Sequence, residues 1–475
     1  GCDAFYHAGC VGLEQFQASV LIDQFICPQC TEETDLKTTE YKVVCPHRYE
    51  FHDCSQVEEL TQVGTLQWMQ QDFKDFEKKF LDNCARREAS GYKILYIKDA
   101  AHLKAIFPKN GINWKNIIIL RNSAGIGLNV PAKPYGADEV IRDMGSEGAR
   151  MMVNIVDVHT QGTHMMSLGT YRKLQKIDPR HRRRIFNVLS LELSDTPLRA
   201  HITPPSIYHE LSLAEKLAKD GEESLYHVER FCLLSMGDSW TDFHIDFGGS
   251  SVWYHVISGK KIFYCVPPTT KNLNLYEKYC AEHPDKEVFL GDLYGDQCMR
   301  VEINEGETLL MPGGWIHAVH TPKDSVVFGG NFLTVDGLRM QLEVNEHEAR
   351  HKHDQKFVFP EFRKINWLMA PIMIKELNSG KKLSARRLTA AKALYCALQQ
   401  WLEEDKKEKK KQNFVVKGWK LPDLLKAFKA AIMNVTGEDD VVAPPHLIDR
   451  TIKGRVEKKM KMKKELEMKK KEKME

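Results

Sequence analysis

The chain has 475 residues, 42% of them apolar, and its 68 Lys and Arg against 65 Asp and Glu leave a net charge of +3. That length accommodates two or three domains, and the near balance of charge excludes a molecule that is basic throughout, as a pure nucleic-acid binder would be. It holds no run of 18 apolar residues, which argues against a helical membrane span, and no secretory signal pattern.

Cysteines crowd the start. Cys2, His7, Cys10, Cys27 and Cys30 are spaced Cys-x4-His-x2-Cys-x16-Cys-x2-Cys, and the rest of the twelve cysteines are scattered. Paired soft ligands joined by short loops are how small folds supply zinc with a tetrahedron, so residues 1–31 predict metal ligation and a reducing compartment rather than a disulfide framework. Residues 32–63 are polar at first, lack periodicity and read as a linker. They contain Cys45, His47, His52 and Cys54, a chance grouping rather than a second zinc set.

A domain is expected over 64–359. Leu66, Met69, Phe73, Phe76, Phe80 and Cys84 recur at helical spacing and predict a packing helix. Residues 91–120 alternate short apolar runs with turns, and 155–158 and 185–193 read as strands. The basic run Arg180 to Arg184 reads as a solvated loop or helix.

Next comes Thr241-Asp242-Phe243-His244-Ile245-Asp246-Phe247-Gly248-Gly249. In a strand alternate side chains share a face, so His244 and Asp246 point the same way. Val252 to Ile257 and Lys261 to Val266 read as two strands separated by a Ser258-Gly259 turn. Lys261 enters an otherwise apolar strand, where a lysine needs a partner, and a carboxylate on a small ligand would supply one. Thr241 and Tyr254 offer hydroxyls to the same group. After Pro312-Gly313-Gly314 a short apolar strand carries His317. His320, three residues on, should face the other way and lead into a Thr321-Pro322 turn. Two histidines and one carboxylate are the set that grips one face of a non-haem iron(II) and leaves positions open for chemistry. Many short strands around a central metal suit a double-stranded β-helix, a relative of the jelly roll.

Past residue 360 the pattern turns helical. Leu388, Ala391, Leu394, Leu398 and Leu402 form one stripe, and Leu424, Leu425, Phe428 and Ile432 another, giving a helical region over 360–446. Residues 447–475 form a lysine-rich tail, either a charged helix or a disordered segment.

His244-Ile245-Asp246-Phe247-Gly248-Gly249, Trp253-Tyr254-His255, Gly259-Lys260-Lys261 and Gly314-Trp315-Ile316-His317 resemble a Jumonji-C (JmjC) domain. With the cysteine spacing they resemble, more narrowly, the seventh histone lysine demethylase subfamily, whose members join a PHD zinc finger to a JmjC domain. The resemblance spans most of 1–375 and is densest over 185–335. It implies a mostly β fold with helices, and iron(II), 2-oxoglutarate and dioxygen as the reacting set. His244, Asp246 and His317 would be the iron ligands. Thr241, Tyr254 and Lys261 would hold 2-oxoglutarate, with Asn187 as a further pocket residue.

The resemblance also implies eight finger ligands, of which five are here, so three more cysteines are expected before Gly1. His7 and Cys10 would complete one zinc site, and Cys2, Cys27 and Cys30 would belong to the other. Phe5 would be one wall of a methyl-lysine cage or part of the finger core. The implied activity is removal of methyl groups from mono- and dimethyl-lysine on the histone-three tail, by N-methyl hydroxylation with formaldehyde release, in the nucleus. The finger would read a trimethyl-lysine on the same tail, and the basic segments would add a weak DNA contact. Two alternatives are a JmjC hydroxylase acting on a side chain that is not methylated, and a non-catalytic chromatin reader or scaffold.

Overall fold

β-Branched and aromatic runs set the frame. A computed structural model describes residues 5–13, 22–34, 36–40, 73–78, 80, 88–106, 114–158, 161–179, 182, 184–219, 227–283, 288–353, 358–409 and 414–471. The N-terminal segment is small: β1 (Ile22–Gln24) pairs antiparallel with β2 (Thr39–Glu40), and α1 (Pro28–Thr34) lies between them in the chain. The remaining strands are β3 (Glu88–Ala89), β4 (Tyr92–Ile97), β5 (Ile117–Leu120), β6 (Met152–Asp157), β7 (Gly162–Ser167), β8 (Phe186–Glu192), β9 (Phe231–Ser235), β10 (Ser239–Ile245), β11 (Ser251–Val266), β12 (Met299–Asn304), β13 (Thr308–Met311) and β14 (Ile316–Phe332).

Two long strands organise them. The first half of β11 lies between β13 and the second half of β14, and β14 continues the layer into β9, β8, β6 and β7. The second half of β11 lies between β12 and the first half of β14, which in turn pairs with β10. Because β11 and β14 each serve both layers, the chain forms the expected double-stranded β-helix. Inward positions are Val, Ile, Leu, Phe and Trp, among them Trp253, Phe328, Leu310 and Ile118, all fully buried.

Two predicted turns are strand instead. Ser258-Gly259 lies inside β11 and Thr321-Pro322 inside β14. The two strands pair through this region, and the pairing slips between Val256 and Ser258, between Ser258 and Lys260, and between Lys260 and Ile262. Proline donates no ladder hydrogen bond, so within a sheet it sits at an edge or a bulge, and Pro322 takes the bulge. Gly259 has φ +87°, and a Cβ there would run into the backbone of Asp324 and Ser325. Only glycine permits that approach. What reads as punctuation in one dimension is here a bend shared by two paired strands.

Helices α2 (Ala100–Ile106), α3 (Ala137–Asp143), α4 (Leu168–Gln175), α5 (Ser206–Leu211) and α6 (Leu213–Lys219) precede β9, and α7 (Thr270–Glu282) and α8 (Leu290–Tyr294) fill the connection from β11 to β12. Of the helix predicted from the Leu66 to Cys84 pattern, residues 73–78 and 80 are described. Phe73 stacks on Trp240 at 4.8 Å between centroids, and Phe76 meets Phe243 and Phe289 edge-on. Burying each ring contributes about 2–3 kcal/mol. The Cys45 to Cys54 grouping lies outside the described residues.

Of the basic run, Arg182 and Arg184 are described, and neither stays in solvent. Arg182 pairs bidentately with Asp324 at 2.6 and 2.7 Å, and Arg184 reaches the fully buried Asp157 at 2.7 Å. Each guanidinium is drawn out of solvent by a carboxylate, which is the circumstance in which arginine is buried.

The helical layer starts at Leu338, ahead of residue 360. It comprises α9 (Leu338–Arg350), α10 (Phe362–Leu377), α11 (Ala385–Glu408) and α12 (Leu421–Thr436). Leu394, Leu398, Leu424, Phe428 and Ile432, from the predicted stripes, form one core with Leu338, Ile365 and Trp367. The Ser384 hydroxyl accepts from the Arg387 N–H and caps α11. The basic tail forms helix α13 (Ile452–Lys471), anchored by the buried Val456 and by Lys453, whose ammonium donates to the carbonyl of Arg350. Among the described residues no helix is long and apolar enough to cross a membrane.

Candidate metal centre and cosubstrate pocket

β10 and β14 deliver the metal donors. Their antiparallel register sets His244 directly opposite His317, and the ring centroids are 4.3 Å apart. Asp246 follows β10 with extended backbone (φ −58°, ψ 140°), so the strand's alternation carries one residue past its end. Its Oδ1 lies 4.0 Å from Nε2 of His244, and its Oδ2 lies 4.0 Å from Nε2 of His317. All three ligand atoms fall within 4.8 Å of one another.

The outer nitrogens fix the chemistry of the inner ones. His244 Nδ1 donates to the carbonyl of Asp242 at 2.8 Å, and His317 Nδ1 donates to that of Trp315 at 3.2 Å. Each bond holds the neutral tautomer whose Nε2 lone pair points inward, the usual second support of a metal-binding histidine. Burial, and then the neighbouring His244, holds His317 well below the usual imidazole range. Burial raises Asp246, opposed by His244 and by a hydrogen bond from Asn331. Two neutral imidazoles and one carboxylate on one face form a donor set for a divalent cation such as iron(II). His320 turns away, with Nδ1 3.1 Å from Glu77 and its ring against Phe73.

Lys261 is buried on β11, 2% exposed. Its ammonium donates to Ser235 Oγ at 2.6 Å and to Thr321 Oγ1 at 2.8 Å, and among the described residues no carboxylate pairs with it. Burial pulls it down from the ordinary 10.5 to about 7. A buried cation held only by hydroxyls suits an anionic ligand group. Asn187 faces the same place: it lies opposite Ser235, is fully buried, and its Oδ1 has no hydrogen-bond partner. Tyr254 is buried and packs edge-on against Phe263 at 5.3 Å, and Phe263 stacks on His317 at 5.8 Å. Thr241 is half-buried opposite Val319.

Some supporting residues escape sequence reasoning. Ser235 and Thr321, which hold Lys261, and Asn331, which supports Asp246, are small polar residues in strands with no local signature. Glu348 is another. It is 3% exposed, on α9, and accepts the N–H of Gly248 at 2.7 Å, one turn beyond the candidate ligand Asp246. Burial lifts its carboxyl to about 8, eased by the Gly248 bond and reinforced by the charge of Asp246. Gly248 itself has φ +60° with Phe359 against its α-carbon, so this turn requires glycine.

In the finger segment, Cys27 and Cys30 share a turn in which the Cys30 N–H donates to Cys27 Sγ at 3.4 Å. His7 and Cys10 lie on another, with the Cys10 N–H donating to the His7 carbonyl at 3.0 Å. Among the described residues no three of these ligands converge, and Cys2 lies outside them. Phe5 is fully exposed.

Comparison with known proteins agrees with this geometry. Residues 231–332 match the JmjC domain, hydroxylase family, and residues 337–436 match the Jumonji helical domain. Lysine-specific demethylase 7A of Danio rerio is 34% identical over 411 residues, covering 85% of this chain and 44% of that protein. Histone lysine demethylase PHF8 of Danio rerio is 33% identical, covering 85% and 38%. Lysine-specific demethylase 7B of Danio rerio is 32% identical, covering 85% and 67%. The chain thus spans less than half the length of the first two relatives and two thirds of the third. It has a JmjC domain of double-stranded β-helix form followed by a Jumonji helical domain, and it belongs to the lysine-specific demethylase 7 family.

Proposed function

We propose that the chain is an iron(II)- and 2-oxoglutarate-dependent dioxygenase that demethylates histone lysine. The observation that carries this reading is the pairing of two sites: His244, Asp246 and His317 converge within 4.8 Å, and the buried Lys261 ammonium has no carboxylate among the described residues. His244, Asp246 and His317 would hold the iron. Lys261, with Ser235, Thr321 and Asn187 around it, would hold the distal carboxylate of 2-oxoglutarate, and Thr241 and Tyr254 would complete that pocket. The bound set supplies an oxidant able to break a methyl C–H bond, which acid–base side chains alone cannot do. The protein's share is to position and to exclude water. The tautomers of His244 and His317 are fixed before the metal arrives, and Tyr254 and Phe263 wall the site with rings.

The substrate proposed is mono- or dimethyl-lysine on the tail of histone three, in a nuclear, chromatin-bound setting. The relatives' printed names support the lysine and histone parts of this reading. Cys2, His7, Cys10, Cys27 and Cys30 would be ligands of a zinc-bound PHD finger. The exposed Phe5 would offer its π face to a trimethyl-lysine. Lysines of α13 would add a salt-sensitive contact with DNA phosphates. The test is mass spectrometry of methylated histone-three peptides incubated with iron(II), 2-oxoglutarate and the chain. The expected result is loss of methyl groups with one formaldehyde released per group, abolished by His244→Ala. Succinate release with a stable added hydroxyl and no formaldehyde would favour the hydroxylase alternative. Unchanged peptides in every condition would favour the scaffold.

A further inference from the structure

A second set of metal donors lies outside the catalytic site, where the JmjC domain meets the helical domain. His347 and His351 are four residues apart at the end of α9, so they fall on one helix face, and their rings are 4.6 Å apart. Glu277, fully buried on α7, comes at them from the opposite element. Its Oε2 is 2.5 Å from His347 Nδ1, and its Oε1 is 3.1 Å from His351 Nε2. One donor atom from each of the three lies within 4.8 Å of the others. His353 adds a third imidazole 5.7 Å from the His347 ring.

We propose that Glu277, His347 and His351 form a second divalent-metal site, suited to zinc, that fastens the helical domain to the JmjC domain. Two imidazoles and one carboxylate are a recurring zinc set, with the fourth position left for water or a further histidine. Zinc at bond lengths of about 2.0–2.1 Å places tetrahedral donors roughly 3.4 Å apart. The observed 3.1 Å is close to that, and the His347–Glu277 hydrogen bond needs to open by about 1 Å as the metal replaces its proton.

Two further features favour this reading. His347 is 1% exposed, so its imidazole is held in place in a dry site. Finally, the guanidinium of Arg350 donates to both oxygens of Glu277, at 3.3 and 2.9 Å. A cation is required there, and Arg350 has an alternative carboxylate in Glu346, 3.9 Å away on its own helix.

His347-Glu348-Ala349-Arg350-His351 also fits the H-E-x-x-H pattern of zinc peptidases. The geometry excludes that activity. Glu348, which would have to act as general base, points to the Gly248 N–H beside the candidate iron site instead. The second metal therefore has a structural role. By fixing α9 it fixes Glu348, and through Glu348 the turn that follows Asp246.

The test uses the whole chain carrying His244→Ala, which disables the first metal site, titrated with cobalt(II). The expected result is one equivalent of four-coordinate cobalt with visible d–d absorption and no thiolate charge transfer, which sets it apart from any ion held by Cys10, Cys27 or Cys30. Adding Glu277→Gln or His351→Gln removes that signal. Adding His351→Cys keeps binding and introduces thiolate charge transfer, which covers the case in which a glutamine variant folds poorly. Zinc raises the melting temperature of the His244→Ala chain and has a smaller effect on the Glu277→Gln double variant. Absence of a non-thiolate cobalt signal, or a signal unaltered by all three added substitutions, overturns the proposal.

Discussion

Replacing Lys261 with methionine separates two consequences of one buried charge. The ammonium is 2% exposed and rests on the hydroxyls of Ser235 and Thr321. Its fall from 10.5 to about 7 corresponds to a folding penalty on the order of 5 kcal/mol, at roughly 1.4 kcal/mol per pH unit. Because the folded value lies below the unfolded one, the penalty is absent above about pH 10.5, grows as pH falls, and is complete below about pH 7. Methionine fills a similar volume without charge, but leaves two hydroxyls without their donor, at about 1–3 kcal/mol each. Near pH 7 the two effects offset, and the variant's stability should lie within about 2 kcal/mol of the parent. As pH rises the parent should gain stability relative to the variant. Ligand binding should change far more. Losing one partner of a buried charge pair costs about 2–5 kcal/mol, or roughly 30- to 3000-fold in affinity for 2-oxoglutarate. Urea unfolding from pH 6.5 to 9.5, about the accessible range, and calorimetric titration of 2-oxoglutarate with manganese(II) measure the two effects. A stability difference independent of pH, together with affinity within tenfold of the parent, would refute the reasoning.

Other substitutions test other parts of the frame. Arg184→Met removes the 2.7 Å ion pair of the fully buried Asp157 carboxylate and should cost about 3–5 kcal/mol in urea unfolding, whereas a solvated arginine would cost almost nothing. Gly259→Ala places a side chain at φ +87° against β14. It should lower stability by at least about 1 kcal/mol and weaken 2-oxoglutarate binding, because Lys261 lies two residues along the same strand. Phe5→Ala, made in a chain with a complete finger, should weaken trimethyl-lysine peptide binding by about 0.5–2 kcal/mol, roughly 2- to 30-fold by fluorescence anisotropy, without changing turnover of an unmarked peptide.

The sequence showed the donors and the cation but not what holds them. His244, Asp246 and His317 stand out because histidine and aspartate are rare in apolar strands. Lys261 stands out for the same reason. Ser235 and Thr321 do not, because small hydroxyl residues are ordinary in strands. Their contacts with Lys261 span 26 and 60 residues and are set by cross-strand register. The two misread turns have one cause. Gly259 and Pro322 break local periodicity, yet both breaks fall in the stretch where β11 and β14 slip register together, so the strands bend and continue. Arg182 and Arg184 look like a surface run until Asp324 and Asp157 are brought to them from distant strands. The second donor set was missed for a similar reason. Glu277 is 70 residues from His347 and 74 from His351, on another element, and the helical periodicity of α9 hides a ligand face among core positions.

The central claim is that two histidines, one aspartate and a buried lysine build one site for iron(II) and 2-oxoglutarate. Anaerobic addition of iron(II) and then 2-oxoglutarate to the chain tests it directly, by the visible metal-to-ligand charge-transfer absorption of the chelated keto acid. The account predicts a saturable band with one iron and one 2-oxoglutarate per chain, absent in His317→Ala and shifted to much higher 2-oxoglutarate concentration in Lys261→Met. A band of the same strength and midpoint in both variants, or none in the parent, would contradict it.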